Sequence, residues 1–279
     1  MLVTGANHGI GAATAKAFAE EGAQVFVAYF RKPCPYSGEV LEKARCMGRG
    51  GPELYFAGQQ ATADGVISHI RTQGGKAAAL EADLGDSAVI PQLFDQCESE
   101  LGPVDILVNN HTHCVLETFD PDKVTSDGFP VSLPTAESID AHFAINARAY
   151  ALMMAEYFQR FLKRRAQVGR VVNISTDAAH AHAQNLSYAA SKHAIESYSR
   201  SAALEMGRYG ITVNVVAPGP TQTGYITPES EAALAAGTPL RRIGRPEDIA
   251  QVIVFLASAQ AHWLTGQLLY AGGGWRIPL

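Results

Sequence analysis

The chain has 279 residues, 47% of them hydrophobic and 18% charged, with a formal charge of −5. That length fits one large α/β domain, and the apolar fraction suffices for a sheet buried on both faces. The charge balance and the lack of a Lys/Arg block exclude a reader of the phosphate backbone, so no nucleic-acid partner is expected. No apolar run approaches the roughly 20 residues that span a bilayer. No charged leader precedes the first apolar segment, so no membrane partner and a cytoplasmic location are expected. Cys34, Cys46, Cys97 and Cys114 lack the short paired spacings of a zinc site, so free thiols and no metal are expected.

In chain order, short β-branched runs at 2–4, 24–30, 76–81, 105–109, 170–175, 211–217 and 267–270 read as strands. The first strand starts at the very beginning of the chain, so it is either short or preceded by further sequence. Helix-period segments separate the runs. The clearest are 11–21, stopped by Gly22, then 137–165, expected to break near its start, 186–208, and 246–258, which opens with Pro246-Glu247-Asp248. The alternation implies a parallel sheet with right-handed crossovers. Two stretches depart from it: a Pro, Gly and Cys-containing insertion at 33–62 and a long loop at 113–134.

Ligands of an open parallel sheet bind beyond the carboxyl ends of its strands. Those ends carry Thr4-Gly5-Ala6-Asn7-His8-Gly9-Ile10-Gly11, Asp83, Asn109-Asn110, Ser175 and Pro218-Gly219. Glycines at the first turn let the backbone approach a pyrophosphate, whose charge meets the amides of the following helix. Their spacing is G-x-x-x-G-x-G, and a glycine turn alone is as often only a turn.

Tyr188 and Lys192 lie four apart, on one helix face. Moving a tyrosine from its reference pKa near 10 to about 7 takes about 4 kcal/mol. A lysine about 4 Å away contributes about 1 kcal/mol in bulk water and up to about 4 at an effective dielectric near 20. The pair therefore has to be sheltered or helped by another cation.

Ser175, thirteen positions before Tyr188, completes a pattern that resembles the short-chain dehydrogenase/reductase family, including its 3-oxoacyl-carrier-protein reductase-like members. The resemblance covers most of the chain. It implies a Rossmann-like doubly wound sheet of order 3-2-1-4-5-6-7 in a single domain, and hydride transfer between a nicotinamide and a carbonyl or secondary alcohol. By the same resemblance Tyr188 is the proton donor and acceptor, and Ser175 polarises the substrate oxygen. Lys192 holds the nicotinamide ribose and lowers the Tyr188 pKa, and Asn146 keeps a relaying water. Cofactor contacts are expected from Gly5, Asn7, His8, Gly9, Ile10 and Gly11, from Asp83 and Leu84 at the adenine, from Asn109 at a ribose, and from Pro218, Gly219, Thr221 and Thr223 at the carboxamide, beside Tyr188 and Lys192. A homotetramer is implied as well, pairing the helices around 146–165 and 186–208. The family pattern follows Asn-Asn with Ala-Gly. His111 and Thr112 stand there instead, expected to put bulk beside the cofactor.

At the end of the second strand Tyr29 takes the place of the acid that binds an adenosine 2′-hydroxyl, and Arg31 and Lys32 follow it. With His8 in the glycine turn, this favours NADP(H), with NAD(H) the other candidate. Substrates are small carbonyls or alcohols, among them carrier-linked acyl groups, for which Arg241, Arg242 and Arg245 offer a basic rim. The pairs His111/His113 and His180/His182 lack a third ligand of suitable spacing. A dinucleotide-sensing or scaffold protein without turnover is the alternative, opposed by the complete Ser175, Tyr188, Lys192 and Asn146 set.

Overall fold

Period-two alternation in the apolar strands builds two cores, one on each face of a seven-stranded parallel sheet. The computed structural model describes residues 1–120, 122 and 129–276. Its main elements are β1 (Leu2–Thr4), α1 (Gly9–Glu20), β2 (Val25–Tyr29), α2 (Gly38–Met47), α3 (Pro52–Gln59), α4 (Asp64–Thr72), β3 (Ala77–Glu81), α5 (Val89–Leu101), β4 (Ile106–Asn109), β5 (Leu116–Glu117), β6 (Val131–Ser132), α6 (Ala136–Phe143), a π turn (Ala144–Arg148), α7 (Ala149–Lys163), β7 (Gly169–Ile174), α8 (Leu186–Met206), β8 (Ile211–Pro218), α9 (Pro228–Gly237), α10 (Pro246–Ala257) and β9 (Leu268–Ala271). The sheet runs β3-β2-β1-β4-β7-β8-β9, parallel throughout. With the small β5–β6 pair set aside, this is the expected order.

Successive strand side chains point to opposite faces. Leu2, Phe26, Leu107, Val171 and Val213 therefore meet Phe94, Met153, Phe161 and Met206 of α5, α7 and α8. Val3, Val27, Val108, Val172 and Val216 meet Phe18, Ile70, Ile253 and Leu256 of α1, α4 and α10. The helix expected over 137–165 is divided near its start, as foreseen, by a π turn centred on Asn146. The insertion is ordered rather than a bare loop. Ser37 caps α2, accepting from the Val40 amide at 3.4 Å, and Gly48 ends it at φ 61°; Pro52 opens α3.

One polar chain crosses the α7/α8 core. Asn109 Nδ2 donates to Asn173 Oδ1 at 2.8 Å, and Asn173 Nδ2 donates to Ser199 Oγ at 2.8 Å. All three residues are buried. Asn173→Ala strands both neighbours and is expected to cost about 1–3 kcal/mol. The readout is a lower denaturant midpoint at unchanged slope.

Candidate active site

The exit of β1 turns through Gly5 at φ 60° and Gly9 at φ 55°, both in the left-handed region that favours glycine. A Cβ on Gly11 would lie 2.2 Å from the Gly5 carbonyl oxygen and 2.6 Å from Asn110 Nδ2, so only hydrogen fits there. α1 then begins with no side-chain cap and no acid in its first turn. Its leading amides are left for an anion, which fits the pyrophosphate of a dinucleotide. The side chain beside this turn is Asn110, whose Nδ2 donates to Gly5 O at 2.9 Å. Asn109, expected at a ribose, is instead committed to the interior chain through Asn173, because the next residue along a strand faces the other way.

The same alternation separates Ser175 from Thr176. Ser175 continues the ladder of β7, its amide donating to Val216 O at 2.8 Å. Its Oγ points into the core and donates to the buried carboxylate of Glu196 at 2.8 Å. The hydroxyl on the Tyr188 side is that of Thr176, which acts to lower the phenol pKa and itself donates to Asp177 Oδ1 at 3.4 Å.

Lys192 is 1% exposed. Its Nζ lies 5.9 Å from the Tyr188 ring centroid and donates elsewhere, to Ile174 O at 2.8 Å and to Tyr150 Oη at 3.1 Å. Burial, with Cys114, Tyr225 and Tyr55 nearby, holds the Tyr188 pKa well above its ordinary value, and the Thr176 hydrogen bond opposes the rise only in part. Burial brings Lys192 down to about 7. The side chain of Asn146 is fully engaged: its Oδ1 accepts from His113 N at 2.7 Å and Thr112 Oγ1 at 3.2 Å, and its Nδ2 donates to His113 O at 2.8 Å and Ser191 Oγ at 3.0 Å. Two side-chain donors and two lone pairs are then used by protein, and the side chain clamps the β4 exit.

The expected pair of cations at the exit of β2 is divided. Arg31 grips Glu81 of β3 through Nε at 3.1 Å and Nη2 at 2.7 Å. Lys32 reaches inward to His113 Nδ1. Burial lowers His8 to about 4, so it adds no charge at neutral pH. Asp83 Oδ1 closes a turn with Gly85 N at 2.9 Å, and Leu84 is buried. Across the groove Pro218 O accepts from Asp177 N at 3.0 Å, and Thr221 Oγ1 donates to Gly219 O at 2.9 Å. The Thr223 methyl would sit 3.1 Å from a Cβ on Gly9.

The insertion covers this turn. Asn7 Nδ2 donates to Gln59 O at 3.3 Å and Ala61 O at 2.9 Å. The Tyr55 ring packs edge-on against His8 at 6.4 Å, Tyr225 at 6.1 Å and Phe129 at 6.0 Å. Gly51 N donates to Gly224 O at 2.8 Å, and a Cβ on Gly50 would lie 1.9 Å from Ile226 O. The insertion is therefore strapped to the segment after β8. Tyr55 carries no motif that composition or spacing marks, so sequence reasoning passed it over.

The histidine pairs do not converge. His111 turns to Thr4 and His113 to Lys32, while His180 meets Tyr270 and His182 meets Ala183 O. Of the basic rim, Arg242 binds Asp248 through two bonds and Arg241 donates to Ala236 O, while Arg245 stands exposed. Among the described residues no helix is long and apolar enough to cross a membrane.

An uncapped helix behind a glycine turn, facing a Tyr-x-x-x-Lys helix across the carboxyl edge of a parallel sheet, defines a dinucleotide-dependent oxidoreductase. The family model described as enoyl-(acyl carrier protein) reductase matches residues 40–276. A short-chain type dehydrogenase/reductase of Picea abies is 33% identical over 98% of this chain and 90% of its own. The uncharacterized oxidoreductase YjdA of Bacillus subtilis is 36% identical over 74% of this chain and 77% of its own. The solved structure of a doubly substituted short-chain dehydrogenase/reductase of Serratia marcescens superposes with a TM-score of 0.76 at 28% identity, covering 98% of this chain and 96% of that one. The chain belongs to the short-chain dehydrogenase/reductase family, which implies a nicotinamide cofactor.

The strap gives a direct test. Gly50→Ala forces the insertion off Ile226, and limited proteolysis is expected to cut within 33–62 several-fold faster than in the wild type at an unchanged global melting temperature.

Proposed function

We propose that the chain is an NADP(H)-preferring reductase of a small carbonyl substrate, with Tyr188 as the proton donor and Thr176, not Ser175, as the hydroxyl that polarises the substrate oxygen. The observation that carries this reading is the Tyr188 phenol, kept protonated by desolvation with the Thr176 hydroxyl acting to lower its pKa, at the carboxyl edge of the sheet. A neutral phenol is the state that carbonyl reduction consumes: it protonates the alkoxide as that charge develops. A hydroxyl already directed at the phenol can share the same oxygen, strengthening its hold as negative charge grows there. Bound nicotinamide supplies the hydride, or accepts it in the reverse direction on a secondary alcohol. Gly5, Gly9 and Gly11 with the first amides of α1 would hold its pyrophosphate, and Asn110, Lys192 and the 218–223 segment would line its nicotinamide half.

NADP(H) preference rests on Arg31 alone. Glu81 engages two of its five donors and fixes its fork, leaving others for a 2′-phosphate, and Tyr29 offers no carboxylate to repel one. Four free thiols support a reducing, cytoplasmic setting. Leu152 on α7 with Tyr198 and Leu204 on α8 stand exposed, which supports pairing of these helices in a homotetramer.

In steady-state assays with a carbonyl panel, Tyr188→Phe is expected to lower kcat by about 10²–10⁴-fold. Thr176→Ala should cost about 10²-fold and Ser175→Ala only a few-fold; the reverse order would return the role to Ser175. Reduction should be fastest below the Lys192 midpoint and fall above it, because the phenol keeps its proton across neutral pH while the lysine loses its charge. In fluorescence titrations Arg31→Ala is expected to weaken NADPH about tenfold and leave NADH unchanged. Tight binding with no turnover on any carbonyl or alcohol would indicate the sensor instead.

A further inference from the structure

A buried ammonium points wherever its acceptors lie, and around Lys192 those acceptors are neutral. An ammonium carries three N–H donors. One goes to Ile174 O at 2.8 Å and one to Tyr150 Oη at 3.1 Å, and the charge also stands 4.9 Å from the centroid of the Tyr150 ring. Tyr150, fully buried on the first turn of α7, passes the hydrogen bond on by donating to His111 O at 2.8 Å.

Behind Tyr150 stands His111, whose ring lies against the tyrosine ring with centroids 4.2 Å apart. The imidazole is thus turned into the interior, and the bulk expected beside the cofactor is absent. Thr4 Oγ1 accepts from the amides of Asn110 at 3.0 Å and His111 at 3.2 Å. Its own proton is then free for His111 Nδ1 at 2.7 Å, which places the imidazole proton on Nε2, turned toward Ile145 of the π turn. Burial and the neighbouring Lys192 hold His111 down to about 3, so it remains neutral. The titratable groups facing Lys192 are therefore Tyr150 from α7, Tyr188 from its own helix, and His111 with Cys114 from the β4 exit. No carboxylate is among these described neighbours.

We infer that Tyr150, backed by His111, is a positioning residue of the reaction: its hydroxyl holds one of the Lys192 protons beside the one held by the Ile174 carbonyl, and leaves the third for the nicotinamide ribose. This rests on the reductase reading above and adds to it a residue that touches neither substrate nor cofactor. Removing the Tyr150 hydroxyl takes away an acceptor that favours the charged lysine. The ammonium then gives up its proton at lower pH, and every step that needs it fails earlier as pH rises.

The test is Tyr150→Phe in the full chain, read in two ways. In NMR of protein carrying ¹³C-labelled lysine, without cofactor, the Lys192 resonance, assigned by its loss in Lys192→Arg, is expected to titrate near neutrality in the wild type and at least half a unit lower in the variant. In turnover, the alkaline limb of kcat should move down by the same amount, while KM for the carbonyl changes less than threefold. His111→Ala, which keeps the carbonyl and removes the ring behind Tyr150, is expected to move the midpoint in the same direction by less, and it serves if Tyr150→Phe does not fold. A midpoint that neither variant moves overturns the inference. Loss of Tyr188-dependent turnover in the wild type would overturn the reductase reading instead, and the lysine titration would still decide the role of Tyr150.

Discussion

A lysine ammonium held in the interior with no carboxylate among its described contacts is the constraint on which the rest of this site depends. Charged groups are seldom buried unless paired, since desolvation costs several kcal/mol after relaxation. Here a backbone carbonyl, a phenol oxygen and the face of an aromatic ring take the place of a counter-ion. Those groups come from β7 and α7, and the β4 exit backs them through His111. The π turn supplies their alignment: the wide turn brings Asn146 over the β4 exit, where two of its hydrogen bonds hold the backbone of His113. The clamp in turn fixes the loop whose His111 carbonyl receives Tyr150.

Alternation along the strands explains much of what counting along the chain did not. The sheet order, its parallel sense and the positions of Tyr188 and Lys192 were legible because apolar periodicity and helical spacing are local properties. Which of Ser175 and Thr176 faces the phenol depends on where β7 stops pairing with β8, and Val216, whose carbonyl keeps Ser175 in register, lies 41 positions further on in sequence. The same reasoning separates Asn109 from Asn110. Arg31 and Lys32 read as a pair of free cations because their partners, Glu81 and His113, are 50 and 81 residues away.

The insertion was legible as an insertion and illegible as a structure. Its proline and glycine content suggested a loop, yet those residues stand where helices start and stop: Ser37 before α2, Gly48 after it, Pro52 at the head of α3. What no local pattern discloses is where the pair of short helices lies. Contacts with His8 and Asn7 on one side and with Gly224 and Ile226 on the other settle that. They join the glycine turn to the segment following β8 across the groove between them. Tyr55, packed on His8, Tyr225 and Phe129, stands at the centre of that bridge.

Tyr188 and Lys192 are displaced in opposite directions by the same dry surroundings. Burial favours the neutral form of each, the protonated phenol and the deprotonated amine. A phenol and an ammonium that shared a close hydrogen bond would each stabilise the other's charged state, and both shifts would reverse. Because Lys192 is turned to Tyr150 instead, the two groups titrate apart. The phenol stays a proton donor across neutral pH, while the lysine lies close enough to its own midpoint for a change in its neighbours to alter its charge. A nicotinamide ribose at the remaining lysine proton and an oxidised nicotinamide ring beside the phenol would act on both groups at once.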